Sequence, residues 1–253
     1  MKKLIIILTF FLIFLNCAEA AKIKTVTKDY KVVTNDKFTI VSKLEYPKIK
    51  DKKNYSTVVL LHSLGYNSSW WEDLPQKLID RGYAVLFIDF RGHGDSVLNS
   101  KLARVSWTSM KNKAFAKYPS DVITTIDYIK KENKRIFFDD WAIVGTDIGA
   151  ITAIHTANEI TYKPKTIVMI SPAINSKGLY APIKLAELNN IDILSVTGQK
   201  DVTGKNADNY LKKFAQSTYA EYTSTSKSTG MLMLKNDDTL TSVIASWIQE
   251  YLK

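Results

Sequence analysis

The sequence predicts an α/β fold, a single domain with a mostly parallel central sheet and helices on both faces. Three observations carry this. Strand-like and helix-like segments alternate from residue 57 to the C-terminal end. The strand-like segments are apolar throughout instead of alternating, as strands buried on both faces are. No linker, repeat or low-complexity block interrupts the series in a chain of 253 residues, a length that suits one such domain.

The first element is an address. Lys2 and Lys3 precede an apolar run from Leu4 to Leu15, and Ala18-Glu19-Ala20 follows. A charged start, a greasy stretch and a small-residue end predict a secretory signal peptide over residues 1–20, with the folded domain over 21–253. The run is too short to span a bilayer. Cleavage after Ala20 and lipidation of Cys17 are the two processing alternatives. Either places the mature chain outside the cytoplasm, in the periplasm, the cell envelope or the medium. Membrane attachment is expected only with a lipid on Cys17.

Residues 24–46 read as a β-hairpin. Thr25–Thr27 and Tyr30–Val33 are β-formers, Thr34–Lys37 is a turn, and Phe38–Leu44 alternates. Residues 47–54 form a charged loop. Further strands are expected at Thr57–Leu61, Tyr83–Ile88, Trp141–Val144, Thr166–Ile170 and Ile191–Val196. Helices are expected at Trp70–Asp80, ending at Gly82, and at Ile148–Asn158, Asn206–Phe214 and Thr239–Leu252. One more starts at a Ser120 cap and carries Val122, Ile123, Ile126 and Ile129 at helical spacing.

Composition narrows the chemistry. Lys plus Arg number 35 against 25 Asp plus Glu, a formal charge of +10. The lysines are spread along the chain and the expected location is extracytoplasmic, so the charge reads as a solvated surface and nucleic acid is not expected as a partner. An anionic envelope component is the alternative reading. The single cysteine excludes an intramolecular disulfide and a thiolate metal cluster. The three histidines, His62, His93 and His155, lack metal-ligand spacing, so no metal is expected. Neither a phosphate-loop nor a dinucleotide fingerprint is present, and no cofactor is expected. The five tryptophans read as core or pocket aromatics, with a carbohydrate-binding stripe as the alternative.

Ligands of open parallel sheets bind at the carboxyl ends of the strands. The loops there read His62-Ser63-Leu64-Gly65, Asp89 to Ser96 (DFRGHGDS), Gly145 to Ala150 (GTDIGA) and Gly198-Gln199-Lys200-Asp201. LLHSLG, FIDFRGHGDS, IVGTDIGA and SVTGQKD occur in an order and spacing that resemble the α/β-hydrolase fold, nearest to its small, lidless, dienelactone-hydrolase-like and esterase-like members. The likeness covers most of residues 55–253. Only some 20 residues separate Ser171 from Ile191, too few for a cap domain.

The resemblance implies a nucleophile on a G-x-S-x-G elbow, an acid after a later strand, and a histidine before the last helix. It also implies an oxyanion hole from two backbone N–H groups, here those of Leu64 and Ile148. In this chain the elbow carries Asp147 in place of serine. The acid position is Asp201. Thr229, before Gly230, stands where the histidine belongs, and no histidine follows His155. Ser63 replaces the glycine that usually follows the family's oxyanion-loop histidine, here His62.

Each residue has a plain reading beside the chemical one. Asp147 at a helix start reads as an N-cap, with a covalent nucleophile or a ligand contact as alternatives. The cap reading predicts that Asp147→Ala costs about 1–2 kcal/mol. Asp201 reads as ordering the loop Lys200–Gly204, or as an inherited acid without a partner. His62 and His93 read as loop braces and His155 as a packed or surface residue, with His62 as a base in the alternative. The leading expectation is an exported, non-catalytic relative that keeps a pocket for a small acyl or ester-like ligand or an envelope partner. The alternatives are an active hydrolase built on Asp147, Asp201 and His62, and a scaffold that uses only its basic surface.

Overall fold

Alternate residues of each central strand enter opposite cores, and this is why those strands are apolar without a break. In the computed structural model, which describes residues 23–253, Val59 and Leu61 join one buried cluster while Val58 and Leu60 join the other. Ile143 and Ala142 divide in the same way, as do Ile167 and Val168. The leader expected over residues 1–20, Cys17 included, lies outside the described residues. Among those described, no helix is long and apolar enough to cross a membrane.

The chain begins with an antiparallel hairpin, β1 (Thr25–Val33) and β2 (Thr39–Pro47). There follow β3 (Tyr55–Leu61), α1 (Leu74–Asp80), β4 (Ala84–Ile88), α2 (Asn112–Phe115), α3 (Tyr118–Glu132), β5 (Ile136–Thr146) and α4 (Ile148–Glu159). Then come β6 (Thr166–Ile170), the two-residue strands β7 (Asn175–Ser176) and β8 (Leu179–Tyr180), and α5 (Ala181–Ala186). The series closes with β9 (Asp192–Gly198), α6 (Val202–Leu211), β10 (Tyr219–Ser224), α7 (Met231–Lys235) and α8 (Leu240–Tyr251). The main sheet has eight strands in the order β1-β2-β4-β3-β5-β6-β9-β10. β1 and β2 pair antiparallel, β2 pairs antiparallel with β4, and every pair from β4 to β10 is parallel.

One face is covered by α3 and α4, through Val122, Ile126, Ile129, Ile151 and Ile154. The other is covered by α1 and α8, through Leu74, Leu78, Ile244 and Ile248. This is the expected mostly parallel sheet with helices on both faces. The segment between β6 and β9 holds only β7, β8 and α5.

Several boundaries differ from the sequence reading. Ser120 does not cap α3. The helix starts at Tyr118, with Pro119 in its first turn, and the Ser120 hydroxyl donates to the Lys117 carbonyl at 2.9 Å. α1 starts at Leu74, because Ser68–Trp70 forms a separate 3₁₀ turn capped by the Asn67 side chain. α6 starts at Val202, four residues earlier than expected, and its continuation to Phe214 is 3₁₀. β10 and α7 were not anticipated. β10 is an edge strand with only Ser224 buried, so it lacks the apolar run that marks its neighbours.

Arg91, from the DFRGHGDS loop, ties the hairpin to the helical layer. It is 5% exposed. Its guanidinium donates to both carboxylate oxygens of Asp121 on α3, each at 2.6 Å, and to Asp36 in the hairpin turn at 2.8 and 3.1 Å. Those bonds hold Asp36 well below the usual carboxylate range, whereas burial outweighs the same cation at Asp121 and pushes it up to about 6. Arg91→Leu strands the Asp121 carboxylate in the interior. The expected loss is about 3–5 kcal/mol of unfolding free energy, read as a lower midpoint in urea.

Candidate functional site

β5 delivers the elbow. Gly145 and Gly149 are required there by space. A methyl group on Gly145 would lie 2.2 Å from the Gly149 carbonyl oxygen, and one on Gly149 would lie 2.1 Å from the Leu61 carbonyl oxygen. Helix α4 is therefore packed directly on β3, and the chain turns into it within one residue. That residue, Asp147, has φ 52° and ψ −116°, a conformation that costs a non-glycine residue about 1–3 kcal/mol.

Asp147 does not cap α4 through its side chain, so the capping expectation is corrected. Its backbone geometry aims the carboxylate away from the helix axis and toward the loop after β3. There Oδ2 accepts the Leu64 N–H at 3.3 Å. Leu64 is one of the two backbone donors that the sequence assigns to an oxyanion hole, and Asp147 itself occupies it. Burial raises the Asp147 carboxyl above its ordinary value. Nearby backbone N–H groups oppose the rise, and the charge of Asp201 adds to it.

Asp201 lies at the N-cap of α6, 3% exposed, and its Oδ1 accepts the Gly204 N–H at 2.8 Å. Its Oδ2 is buried without a hydrogen-bond partner. Thr229 is exposed on the same rim. Ser63, Asp147, Asp201 and Thr229 thus border one pocket of about 280 Å³, together with Tyr66 and Ser171. Among the described residues, no group of three or more His, Cys, Asp or Glu side chains is placed to hold a metal ion.

His62 and His93 stand beneath this pocket and are both spent on backbone. His62 is fully buried. Its Nε2 accepts the Phe90 N–H at 3.0 Å, which leaves Nδ1 to donate to the Ser63 carbonyl at 2.8 Å. His93 accepts the Gly65 N–H at Nε2, 3.0 Å, and stacks on Trp107. Burial lowers both to about 4. His155 is half-buried on α4, its Nε2 3.1 Å from the Tyr180 carbonyl oxygen. None of the three histidines lines the pocket.

Ser63 bonds Thr146 at 2.7 Å, and the Thr146 hydroxyl donates to Met231 Sδ at 3.0 Å. The Ser63 proton therefore goes to Thr146. Sequence reasoning passed over Ser171, whose backbone has φ 49° and whose Oγ accepts the Gly230 N–H at 2.7 Å. The signal was available, since Ser171 follows β6 at the carboxyl edge where ligands bind. Trp71 and Trp141 are core, while Trp70 is exposed beside Tyr66.

Two outcomes follow. Asp147→Gly is expected to raise the melting temperature by roughly 2–4 °C, because glycine adopts a positive φ without strain. A fall would restore the capping reading. The histidines predict acid lability. Their folded pKa values lie below the unfolded 6.5, so the unfolded chain binds more protons between pH 6.5 and 4. Stability is then full above pH 6.5 and declines toward pH 4, by roughly 3 kcal/mol for each histidine. The raised Asp147 carboxyl acts in the opposite sense, which an Asp147→Asn background removes. Denaturant titrations across that range, with and without His62→Asn, measure the slope.

The family model described as serine aminopeptidase, S33, matches residues 52–240. No curated protein matches in sequence. Among solved structures, an esterase of Pyrococcus furiosus is similar with a TM-score of 0.68 and 16% identity, over 90% of this chain and 92% of that one. An esterase of Exiguobacterium antarcticum gives 0.66 and 11%, over 88% of this chain and 100% of its own. A dienelactone hydrolase of Anabaena variabilis gives 0.64 and 13%, over 90% and 99%. At these identities the structures speak for the fold, and the glycine-flanked elbow after β5 sits within the span of the family match. The chain belongs to the serine aminopeptidase S33 family of α/β hydrolases.

Proposed function

We propose that this protein is an exported, non-catalytic member of its family that binds a small molecule in the pocket above the elbow. The observation that carries the reading is the carboxylate of Asp147 at the elbow, whose Oδ2 accepts the Leu64 N–H at 3.3 Å. Acyl transfer needs such a donor free for the negative charge that develops on the carbonyl oxygen. Here it already holds a carboxylate, and an entering ester would present its carbonyl oxygen to another oxygen.

The proton chemistry is missing as well. Thr229, at the place of the base, gains no proton near neutral pH. His62 and His93 have both ring nitrogens turned to backbone atoms, and Asp201 has no imidazole to orient. If Asp147 attacked as a nucleophile, its covalent ester would still need a base to activate water, and the pocket lining contains no histidine or lysine.

The purified protein should hydrolyse short p-nitrophenyl esters no faster than background. Thr229→His alone should change nothing, whereas Asp147→Ser with Thr229→His should give weak activity, because the elbow and Asp201 remain. Robust turnover by the unmodified chain that vanishes in Asp147→Asn would replace this reading with an aspartate-nucleophile hydrolase. Export rests on the charged start, apolar run and Ala18-Glu19-Ala20 end. Mass spectrometry of the envelope fraction should find an N-terminus at Ala21 or at a lipidated Cys17, and intact Met1 in cytosol would reject export.

A further inference from the structure

Strand β1 ends the main sheet, and among the described residues nothing pairs with its outer side. It runs from Thr25 to Val33 and pairs with β2 without a register shift, so neither a bulge nor a proline interrupts it. The two ends of that ladder show which backbone groups face outward. The Lys48 N–H donates to the Lys24 carbonyl at 2.7 Å, and the Thr34 N–H donates to the Phe38 carbonyl at 2.9 Å. Antiparallel bonds recur at every second residue, so the even-numbered residues of β1 bond β2. The odd-numbered ones do not. Opposite Lys31 and Val33, Val41 and Thr39 turn their backbone groups the other way, to Asp89 and Leu98. Thr25, Thr27, Asp29, Lys31 and Val33 therefore present their N–H and C=O groups to open space, a template for one more strand.

The side chains of β1 select that strand. Two copies related by a twofold axis pair antiparallel. Directly opposite residues share a face, so one residue lies opposite itself at the axis. Centring on Lys28, Asp29 or Lys31 sets like charges against each other, which destabilises the pair. Centring on Tyr30 sets Asp29 opposite Lys31 of the second copy, and Lys31 opposite its Asp29. Within each copy Asp29 also lies across from Lys43 of β2, so this register continues a row of alternating charge over three strands. Among the described residues neither Asp29 nor Lys31 has an ion pair of its own. The other face of the strand adds an apolar contact at the same point. Tyr30 packs edge-to-face on Tyr128 of α3, ring centroids 6.2 Å apart, and Tyr128 is 40% exposed. The edge is already ordered, because Arg91 holds Asp36 in the turn after β1, and a preorganised surface loses less entropy on binding.

We propose that this protein forms a symmetric dimer through β1. Tyr30 sits on the twofold axis, two Asp29–Lys31 pairs flank it, and the two eight-stranded sheets become one. The occupant of the open edge is a second copy of this chain.

Sedimentation of the purified protein over a range of concentrations should show a monomer–dimer equilibrium. Asp29→Lys sets like charges against Lys31 at both places and should weaken the dimer about tenfold. Exchanging the two charges, Asp29→Lys with Lys31→Asp, should restore it. Both variants place the same lysine across from Lys43, so an effect inside the hairpin cancels between them. Lys31→Pro removes an outward N–H without touching the β1–β2 bonds and should abolish pairing, with an unchanged urea midpoint of the monomer as the check on folding. Oxidation of Tyr30→Cys in a Cys17→Ala background should give a covalent dimer, because Cα atoms at such an axis lie about 4.5 Å apart, within disulfide reach. Lys28→Cys in the same background should give none. A monomer at every concentration overturns the proposal. So does a dimer indifferent to Asp29→Lys and Lys31→Pro, or one that crosslinks with Lys28→Cys and not with Tyr30→Cys. An open-ended polymer overturns it as well, since that would pair β1 with β10 of the next copy.

Discussion

Helix α4 lies so close to the sheet that no side chain fits between them at Gly149, where a methyl group would come within 2.1 Å of the Leu61 carbonyl oxygen. The site depends on this contact. It fixes the end of β5 against the start of α4 and forces Asp147 into its positive φ, with its carboxylate on the Leu64 N–H. The backbone of the elbow survives a change of side chain, so the family's strand-to-helix turn persists here with an aspartate at its tip.

Exchanging a hydroxyl for a carboxylate at such a point reverses what the donors do. In an ester hydrolase they wait for charge that appears only during reaction. Here a carboxyl group is covalently attached. Burial and the neighbouring Asp201 push its pKa up, and nearby backbone N–H groups offset only part of that rise. The loops beneath, by contrast, are fully matched. Neutral His62 and His93 accept N–H groups from Phe90 and Gly65, and Asp89 accepts those of Ser68 and Asp95.

Much of the architecture was legible in the sequence because its signals are strong ones. A strand buried on both faces has to be apolar at every position, and Val58 to Leu61 obeys that. The elbow was legible through Gly145 and Gly149, since close packing admits no other residue there. Asp147, Asp201 and Thr229 were placed on one rim by motif order alone. What escaped was set by tertiary contacts. The edge strand β10 is half-exposed and polar, so no periodic pattern marks it. The role of Asp147 as a cap was inferred from its position before a helix, but a positive φ turns the side chain toward Leu64 instead. The fate of His62 depended on which backbone groups face its two nitrogens, and no sequence spacing encodes that.

Arg91 has a consequence for how the molecule comes apart. Edge hairpins are usually the first elements to open in local, sub-global fluctuations. In this chain the turn between β1 and β2 holds Asp36 on the guanidinium that also neutralises Asp121, and Phe38 lies against that guanidinium at 4.8 Å. Peeling the hairpin away withdraws one counter-charge and floods the other pair with water. The edge is thereby enrolled in the global unfolding unit and does not fray alone. An edge hairpin that opens only with the whole domain amounts to resistance against proteolytic nicking.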